Sequence, residues 1–154
     1  MTEGFYKTDT FKTSKDDTWT TPRDFWNQLN KEFNFTLDAA ALASSTLVSD
    51  NWYGPDHPDE TRRDAFQRRW LDDSSGYIWL NPPYGKTIKD WMRKARYEAD
   101  NGAKIVSLIP ARTDTSWWHT YCIDAHEVTF IRGRLKFGNQ KNSAPFPSAI
   151  VVMQ

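Results

Sequence analysis

The stretch Gly76-Tyr77-Ile78-Trp79-Leu80-Asn81-Pro82-Pro83-Tyr84-Gly85 decides the fold. Its first half is apolar and rich in aromatic and branched side chains, as in a buried strand. The two prolines then prevent further strand pairing. A helix is predicted between Thr87, a candidate cap, and Asn101-Gly102, a typical helix end. The apolar face of that helix comprises Ile88, Trp91, Met92, Ala95 and Ala99.

The pattern continues to the end of the chain. Residues 103–109 predict a second buried strand, and a helix is expected to begin at Thr113-Asp114-Thr115. Two further strands are predicted at residues 127–131 and 149–153, and residues 133–137 are a candidate extension of the first. Alternating strands and helices indicate an α/β fold with helical crossovers. Since no helix is predicted between the last two strands, they are expected to form an antiparallel hairpin at one edge.

The first half of the chain is less regular. Thr21 and Pro22 are expected to begin a helix, with Thr21 as its cap. A short strand at residues 35–37 leads into Asp38-Ala39-Ala40. Residues 62–70 are a candidate helix, but no strand can be assigned across residues 44–75. Residues 1–18 are predicted to be a flexible arm, and residues 19–154 a single domain.

Composition narrows the classes of function. The chain has 154 residues, of which 8 are Trp, 6 Tyr and 9 Phe, so an aromatic core is expected. The single cysteine, Cys122, excludes an internal disulfide, and the three scattered histidines do not suggest a metal site. No apolar run is long enough for a membrane span, which favours a cytoplasmic protein. Residues 1–77 carry a net charge of −5 and residues 78–154 one of +5, which leaves a polyanionic partner open.

Asn81, Pro82 and Tyr84 together suggest a specific chemistry. Ligands of open α/β sheets bind beyond the carboxyl ends of the strands, where these residues are expected. The Asn81 side chain and the Pro82 carbonyl each offer an oxygen acceptor, and Tyr84 offers a flat ring with a polar tip. Two acceptors beside an aromatic ring suit an exocyclic amino group on a planar heterocycle. Hydrogen bonds to that amine would make its delocalised lone pair available for attack.

The strand, Asn81-Pro82-Pro83-Tyr84 and the following helix resemble the catalytic motif of S-adenosylmethionine-dependent amino-methyltransferases. The wider layout resembles the small DNA N6-adenine methyltransferases of phages and prophages. This resemblance spans roughly residues 18–153. Its other segments are Trp19-Thr20-Thr21-Pro22, residues 35–40, residues 108–114, residues 133–137 and Pro145-Phe146-Pro147-Ser148.

The resemblance implies a compact Rossmann-like methyltransferase sheet with helices on both faces. It also implies methyl transfer from S-adenosylmethionine to the N6 amino group of a flipped adenine in double-stranded DNA, with a GATC-like sequence as one candidate site. Asn81, Pro82, Pro83 and Tyr84 would form the catalytic set, with Tyr84 stacking on the base. The protein would act as a monomer or weak dimer, without a metal, in the cytoplasm of a bacterial host. The residues expected to bind the cofactor are Trp19, Thr20, Thr21, Pro22, Asp38, Ala39, Ala40, Asp64 and Asn81.

DNA contacts are expected from basic residues of the second half, because a separate target-recognition domain is absent from the pattern. The candidates are Lys86, Arg112, Arg132, Arg134, Lys136 and Lys141. The same chemistry would also serve RNA, the N4 amino group of cytosine or a protein glutamine. A fourth alternative is an inactive nucleic-acid-binding remnant. It is favoured by Ala39-Ala40-Ala41 in place of the usual cofactor-loop glycines and disfavoured by the intact Asn81–Tyr84 motif.

Overall fold

The computed structural model describes residues 18–154, which form a mixed α/β fold around one five-stranded sheet. The predicted arm lies almost wholly outside the described residues. The strand order is β1-β2-β3-β5-β4. The strands are β1 Leu37–Asp38, β2 Tyr77–Leu80, β3 Lys104–Pro110, β4 Glu127–Phe130 and β5 Ser148–Met153, and the helices are α1 Arg23–Phe33 and α2 Ile88–Asp100.

The first three strands are parallel, and this places the predicted site residues at one edge of the sheet. Leu37 pairs with Ile78, and Ile78 pairs with Ile105. Asp38 ends β1 and Asn81 directly follows β2, so both lie at the carboxyl edge. This is where ligands bind in sheets of this kind.

The last two strands pair antiparallel, β5 with β3 and β4 with β5. Residues 131–147 connect them without a strand of their own. The candidate strand extension at residues 133–137 was therefore wrong. We call residues 131–147 the basic loop, because it carries Arg132, Arg134, Lys136 and Lys141.

The two helices lie on opposite faces of the sheet. Phe25 and Leu29 of α1 line a groove together with Thr129, Ile150 and Val152, which register and alternation place on one face. The neighbouring residue Phe130 points to the other face. There it stacks on Trp118, which belongs to the turn that packs against α2.

The helix predictions differ in outcome. The apolar face predicted for α2 is buried, and Gly102 ends that helix with a positive φ of 105°. Residues 62–70 are not one helix: they belong to a run of short 3₁₀ turns at Glu60–Arg62, Ala65–Gln67 and Trp70–Asp73. The helix expected from Thr113 is reduced to a short segment with a π-turn at Trp118–Cys122.

Polar contacts hold the irregular segment in place. Asp73 accepts hydrogen bonds from the Tyr53 hydroxyl and from the guanidinium groups of Arg62 and Arg68. Asn51 donates to the carbonyls of Thr36 and Asp73, both at 2.6 Å. These bonds attach residues 51–73 to the edge of the sheet beside β1, where sequence periodicity gives no signal.

The core is aromatic, as expected. Trp70, Trp79, Trp91, Tyr53 and Phe66 are at most 1% exposed, and Cys122 is fully buried. A charged pair is also buried: the Lys94 ammonium group lies 3.4 Å from the Glu98 carboxylate. Lys94 also donates to the Arg68 carbonyl, and Glu98 accepts from the backbone N–H of Trp70. The pair therefore joins α2 to the irregular segment. Within the described residues, no helix is both long and apolar enough to cross a membrane.

Candidate active site

A cleft opens at the carboxyl edge of β1 and β2. It contains about 530 Å³ of space free of protein atoms, a volume that includes the solvent at its open mouth. Three segments that are distant in sequence meet there: Thr18–Thr21, the residues after β1, and Asn81-Pro82-Pro83. The lining residues are Thr18, Trp19, Thr20, Thr21, Asp38, Ala40, Ala41, Leu42, Ser45, Leu47, Trp79, Asn81, Pro82 and Pro83.

Asn81 lies between the cleft and Tyr84 and is held at both ends of its amide group. Its Nδ2 donates to the carbonyl of Trp19 at 2.6 Å and to Oγ1 of Thr21 at 2.9 Å. Its Oδ1 accepts a hydrogen bond from the Tyr84 hydroxyl at 2.7 Å. An amide oxygen has two lone pairs, so Oδ1 retains one acceptor position. The amide therefore has a fixed orientation and can accept one more hydrogen bond.

The sequence suggested that Thr21 caps α1, and this prediction was wrong. Pro22 occupies the cap position, and no side chain within residues 18–154 caps the helix. The Thr21 side chain instead contacts Asn81 and is 7% exposed. A hydroxyl residue before a helix is typical of a cap, and only the tertiary structure reveals this different partner.

Tyr84 is buried in an aromatic cluster. Its ring is 2% exposed and nearly parallel to that of Trp19, with 17° between the planes and 6.5 Å between the centroids. Phe137 and Phe146 of the basic loop meet the Tyr84 ring edge-on. The hydroxyl also lies 3.0 Å from the Leu108 carbonyl. Burial raises the pKa of Tyr84 well above its ordinary value, so the phenol stays neutral and donates.

Arg112 fixes the backbone of the motif. Its Nη1 donates to the Tyr84 carbonyl at 2.9 Å. The guanidinium group also acts against the effect of burial on the pKa of Tyr84. Among the described residues, none donates a hydrogen bond to the Pro82 carbonyl. That oxygen and Asn81 Oδ1 are thus two acceptors from adjacent residues.

Asp38 is a buried carboxyl group in the wall of the cleft. Its Oδ2 accepts from the Leu47 N–H at 3.0 Å, and Oδ1 lies 3.4 Å from the Ala40 N–H. Burial raises the pKa of Asp38 to about 7, although these backbone bonds and the Thr46 side chain act in the opposite direction. Asp38 therefore anchors the loop after β1 and changes charge near neutral pH.

Most of the predicted cofactor residues line this cleft, but three do not. Pro22 precedes α1 as its cap and does not line the cleft, and Ala39 is fully buried and does not line it either. Asp64 accepts from the Phe66 N–H and caps a 3₁₀ turn elsewhere. Of the predicted DNA contacts, Arg112 is half-buried against the motif, whereas the others are exposed: Lys86, Arg132, Arg134, Lys136 and Lys141.

Several lining residues were missed from the sequence. Ser45 and Leu47 belong to the stretch that periodicity could not interpret, and Leu42 lies just before it. Trp79 was recognised only as part of a strand, although side-chain alternation could have placed it on the same face as Asp38. No group of three or more potential metal ligands occurs in the described part of the chain.

An α/β protein is thus defined, with a cleft at the carboxyl edge of its parallel strands and an Asn-Pro-Pro-Tyr motif at the cleft's rim. Comparison with known proteins identifies its family. The family model for DNA N-6-adenine-methyltransferase (Dam) matches residues 7–153. The chain therefore belongs to the Dam family.

Two curated relatives support this assignment. A DNA N-6-adenine-methyltransferase of Escherichia phage T1 is 28% identical over 120 residues, which cover 77% of this chain and 46% of that protein. A protein of the same name from Haemophilus phage HP1 (strain HP1c1) is 27% identical over 138 residues, 88% of this chain and 73% of that protein. The match thus spans about half the length of the first relative and about three quarters of the second.

Proposed function

We propose that this protein transfers a methyl group from S-adenosylmethionine to the N6 amino group of an adenine flipped out of duplex DNA. The observation that carries the proposal is the fixed amide of Asn81, which borders the cleft on one side and contacts Tyr84 on the other. Family membership and the names of the two phage relatives favour adenine in DNA over RNA, cytosine or glutamine.

The chemistry of the residues that line the cleft supports a cationic, partly apolar cofactor. Its described lining contains one carboxyl group, Asp38, and neither lysine nor arginine. Trp79, Leu47 and Ala40 supply apolar surface, and the Thr18–Thr21 segment closes one side. S-adenosylmethionine carries a sulfonium and an ammonium group, which an ionised Asp38 favours. When bound, it supplies an electrophilic methyl group.

The chain's own residues would orient the acceptor amine. Asn81 Oδ1 and the Pro82 carbonyl would accept hydrogen bonds from the two N–H groups of the adenine N6 atom. These bonds would draw the nitrogen toward tetrahedral geometry and direct its lone pair toward the cleft. Positioning of this kind supplies much of the rate enhancement when two bound reactants must meet. The transfer would be direct: the bond from N6 to the methyl carbon forms as the sulfonium–methyl bond breaks with its electron pair left on sulfur, and N6 releases one proton to solvent. The chain forms no covalent bond to either reactant.

The role of Tyr84 follows from its contacts. Its hydroxyl would keep the Asn81 amide oriented, and its ring would stack on the flipped base. Because the ring is 2% exposed, its face becomes available only when neighbouring aromatic side chains move. Trp19 and Phe146 are the neighbours whose displacement would admit a base. We therefore expect base entry to rearrange the aromatic cluster while the Asn81 bonds persist.

The test incubates purified protein with unmethylated duplex DNA and S-adenosylmethionine carrying a labelled methyl group. Mass spectrometry of the digested nucleosides is expected to show labelled N6-methyldeoxyadenosine, and sequencing then tests the GATC-like site. Label found instead on N4-methylcytosine, on RNA or on a protein would show that the acceptor is not adenine in DNA. Failure to bind the cofactor would contradict the proposed function altogether.

A further inference from the structure

The Asn139 side chain joins the two regions that the proposed reaction has to bring together. Its Oδ1 accepts a hydrogen bond from the Thr20 N–H at 3.0 Å, and its Nδ2 donates to the Thr18 carbonyl at 2.9 Å. Alongside, the Gly138 N–H donates to the Thr20 carbonyl at 2.8 Å. Three hydrogen bonds therefore join the basic loop to the Thr18–Thr21 segment, one between the two backbones and two through the Asn139 side chain.

The Thr18–Thr21 segment in turn reaches both the cleft and the motif. All four of its residues line the cleft. Trp19 and Thr21 accept the two hydrogen bonds from Asn81 Nδ2. A displacement of this segment would change the shape of the cleft and the orientation of the Asn81 amide together.

The basic loop carries the residues that are expected to contact DNA. Its four cationic side chains are exposed, as contacts to a DNA backbone require. Its Phe137 and Phe146 meet the edge of the Trp19 ring, at centroid distances of 5.4 Å and 5.0 Å. A change in the conformation of the basic loop would therefore move the Trp19 ring through Phe137 and Phe146. It would also move Thr18 and Thr20 through the hydrogen bonds of Asn139.

We infer that Asn139 is a positioning residue that couples DNA binding at the basic loop to cofactor binding in the cleft. This inference rests on the proposed function and extends it. Ordering of the loop by DNA phosphates holds the Thr18–Thr21 segment closed over the cofactor. Because such coupling is reciprocal, the cofactor strengthens DNA binding by the same factor. Asn139 touches neither reactant and acts only through Thr18 and Thr20.

Calorimetry of S-adenosylhomocysteine binding, with and without a saturating DNA duplex, tests the coupling. We expect the duplex to strengthen binding about tenfold in the parent protein, a typical coupling, and less than about twofold in Asn139→Ala. Asn142→Ala is the matched control, because Asn142 is an exposed asparagine of the same loop and makes no hydrogen bond to a described residue. This control should retain the parental coupling.

Asn139→Asp separates the two side-chain bonds. An aspartate still accepts from the Thr20 N–H, but its second oxygen faces the Thr18 carbonyl and repels it, so coupling is expected to fall below that of the parent. Amide hydrogen exchange at Thr20 provides a readout independent of activity. Exchange should accelerate in Asn139→Ala and remain slow in Asn139→Asp and Asn142→Ala.

The outcomes separate this inference from the function on which it rests. Methylation of DNA by the parent protein establishes the reaction by itself. With that activity present, equal coupling in the parent and Asn139→Ala, or no coupling in the parent, overturns the inference. If the parent transfers no methyl group to DNA, the proposed function fails and the inference falls with it.

Discussion

The Tyr84 hydroxyl donates a 2.7 Å hydrogen bond to Oδ1 of Asn81, the same oxygen that is proposed to accept the adenine amine. This bond places a neutral phenol directly behind the acceptor. Through this bond we expect Tyr84, three positions along the chain, to influence the proposed reaction by orienting the Asn81 amide. Hydrogen bonds thus connect Tyr84, Asn81 and Thr21, and single substitutions can test the contribution of each side chain.

Tyr84→Phe removes the hydroxyl and keeps the ring. We expect kcat to fall about tenfold because the Asn81 amide loses one of its orienting bonds, while cofactor affinity changes less than twofold. Stability should fall by about 1 kcal/mol, since the hydroxyl is buried and hydrogen-bonded. Steady-state kinetics, calorimetry and thermal melting measure the three quantities. Full activity in the variant would contradict the orienting role. Tyr84→Ala is the less informative change, because loss of a buried ring costs about 3–5 kcal/mol.

Asn81→Ala removes the proposed side-chain acceptor itself. We expect methyl transfer to fall by about 100- to 1000-fold or more, the usual cost of losing one preorganised hydrogen-bonding group in an active site. Thr21→Val should cost about tenfold, because it removes one of the two acceptors of Asn81 Nδ2 and leaves the Trp19 carbonyl in place. Asn27→Ala, an exposed asparagine on α1, serves as the control for both. Equal losses in Asn81→Ala and Asn27→Ala would refute the acceptor role.

Sequence reasoning predicted the elements that follow a simple period. The strand before Asn81 and the apolar face of α2 follow from proline chemistry and helical spacing. The strand expected at residues 35–37 is displaced in the structure to Leu37–Asp38, so Asp38 ends the strand instead of following it. The segment around Asp73 could not be predicted, because it is held by side-chain bonds to distant residues rather than by a repeating pattern. The contact between Asn139 and Thr20 joins residues 119 positions apart, and no local signal marks it.

Asp38 should make the free energy of unfolding of the protein depend on pH. With its pKa raised to about 7 in the folded chain, the carboxyl binds a proton more tightly there than in the unfolded chain. Its stabilising contribution is therefore complete below about pH 4, declines as pH rises to about 7 and is absent above. The free energy of unfolding of Asp38→Asn, minus that of the parent, should rise across this interval by on the order of 4 kcal/mol. Urea unfolding at several pH values measures it, and a difference that does not change with pH would contradict the assignment.

The Asp38 carboxyl group should also make cofactor affinity depend on pH. This affinity is expected to rise with pH, whereas the contribution of Asp38 to stability falls. A cationic ligand favours ionised Asp38, so affinity for S-adenosylmethionine is expected to rise several-fold from pH 6 to pH 8. Asp38→Asn should remove this dependence, and Asp124→Asn, at an exposed site, should preserve it. Calorimetry at the two pH values provides the measurement. A parental affinity independent of pH would show that Asp38 does not sense the ligand's charge.

Exposed cations of the basic loop should contribute to DNA binding through phosphate contacts. Each neutralised phosphate contributes about one unit to the slope of log affinity against log salt concentration. Lys136→Gln is therefore expected to weaken duplex binding at low salt and to reduce that slope by about one. Lys104→Gln is the matched control, because Lys104 is exposed at the amino end of β3, away from the cleft, with its ammonium group over the Tyr77 ring. Fluorescence anisotropy with a labelled duplex at several salt concentrations gives both slopes. Equal slopes for the parent and Lys136→Gln would show that Lys136 does not contact the DNA. A reduced slope for Lys104→Gln would place the DNA at the amino edge of the sheet.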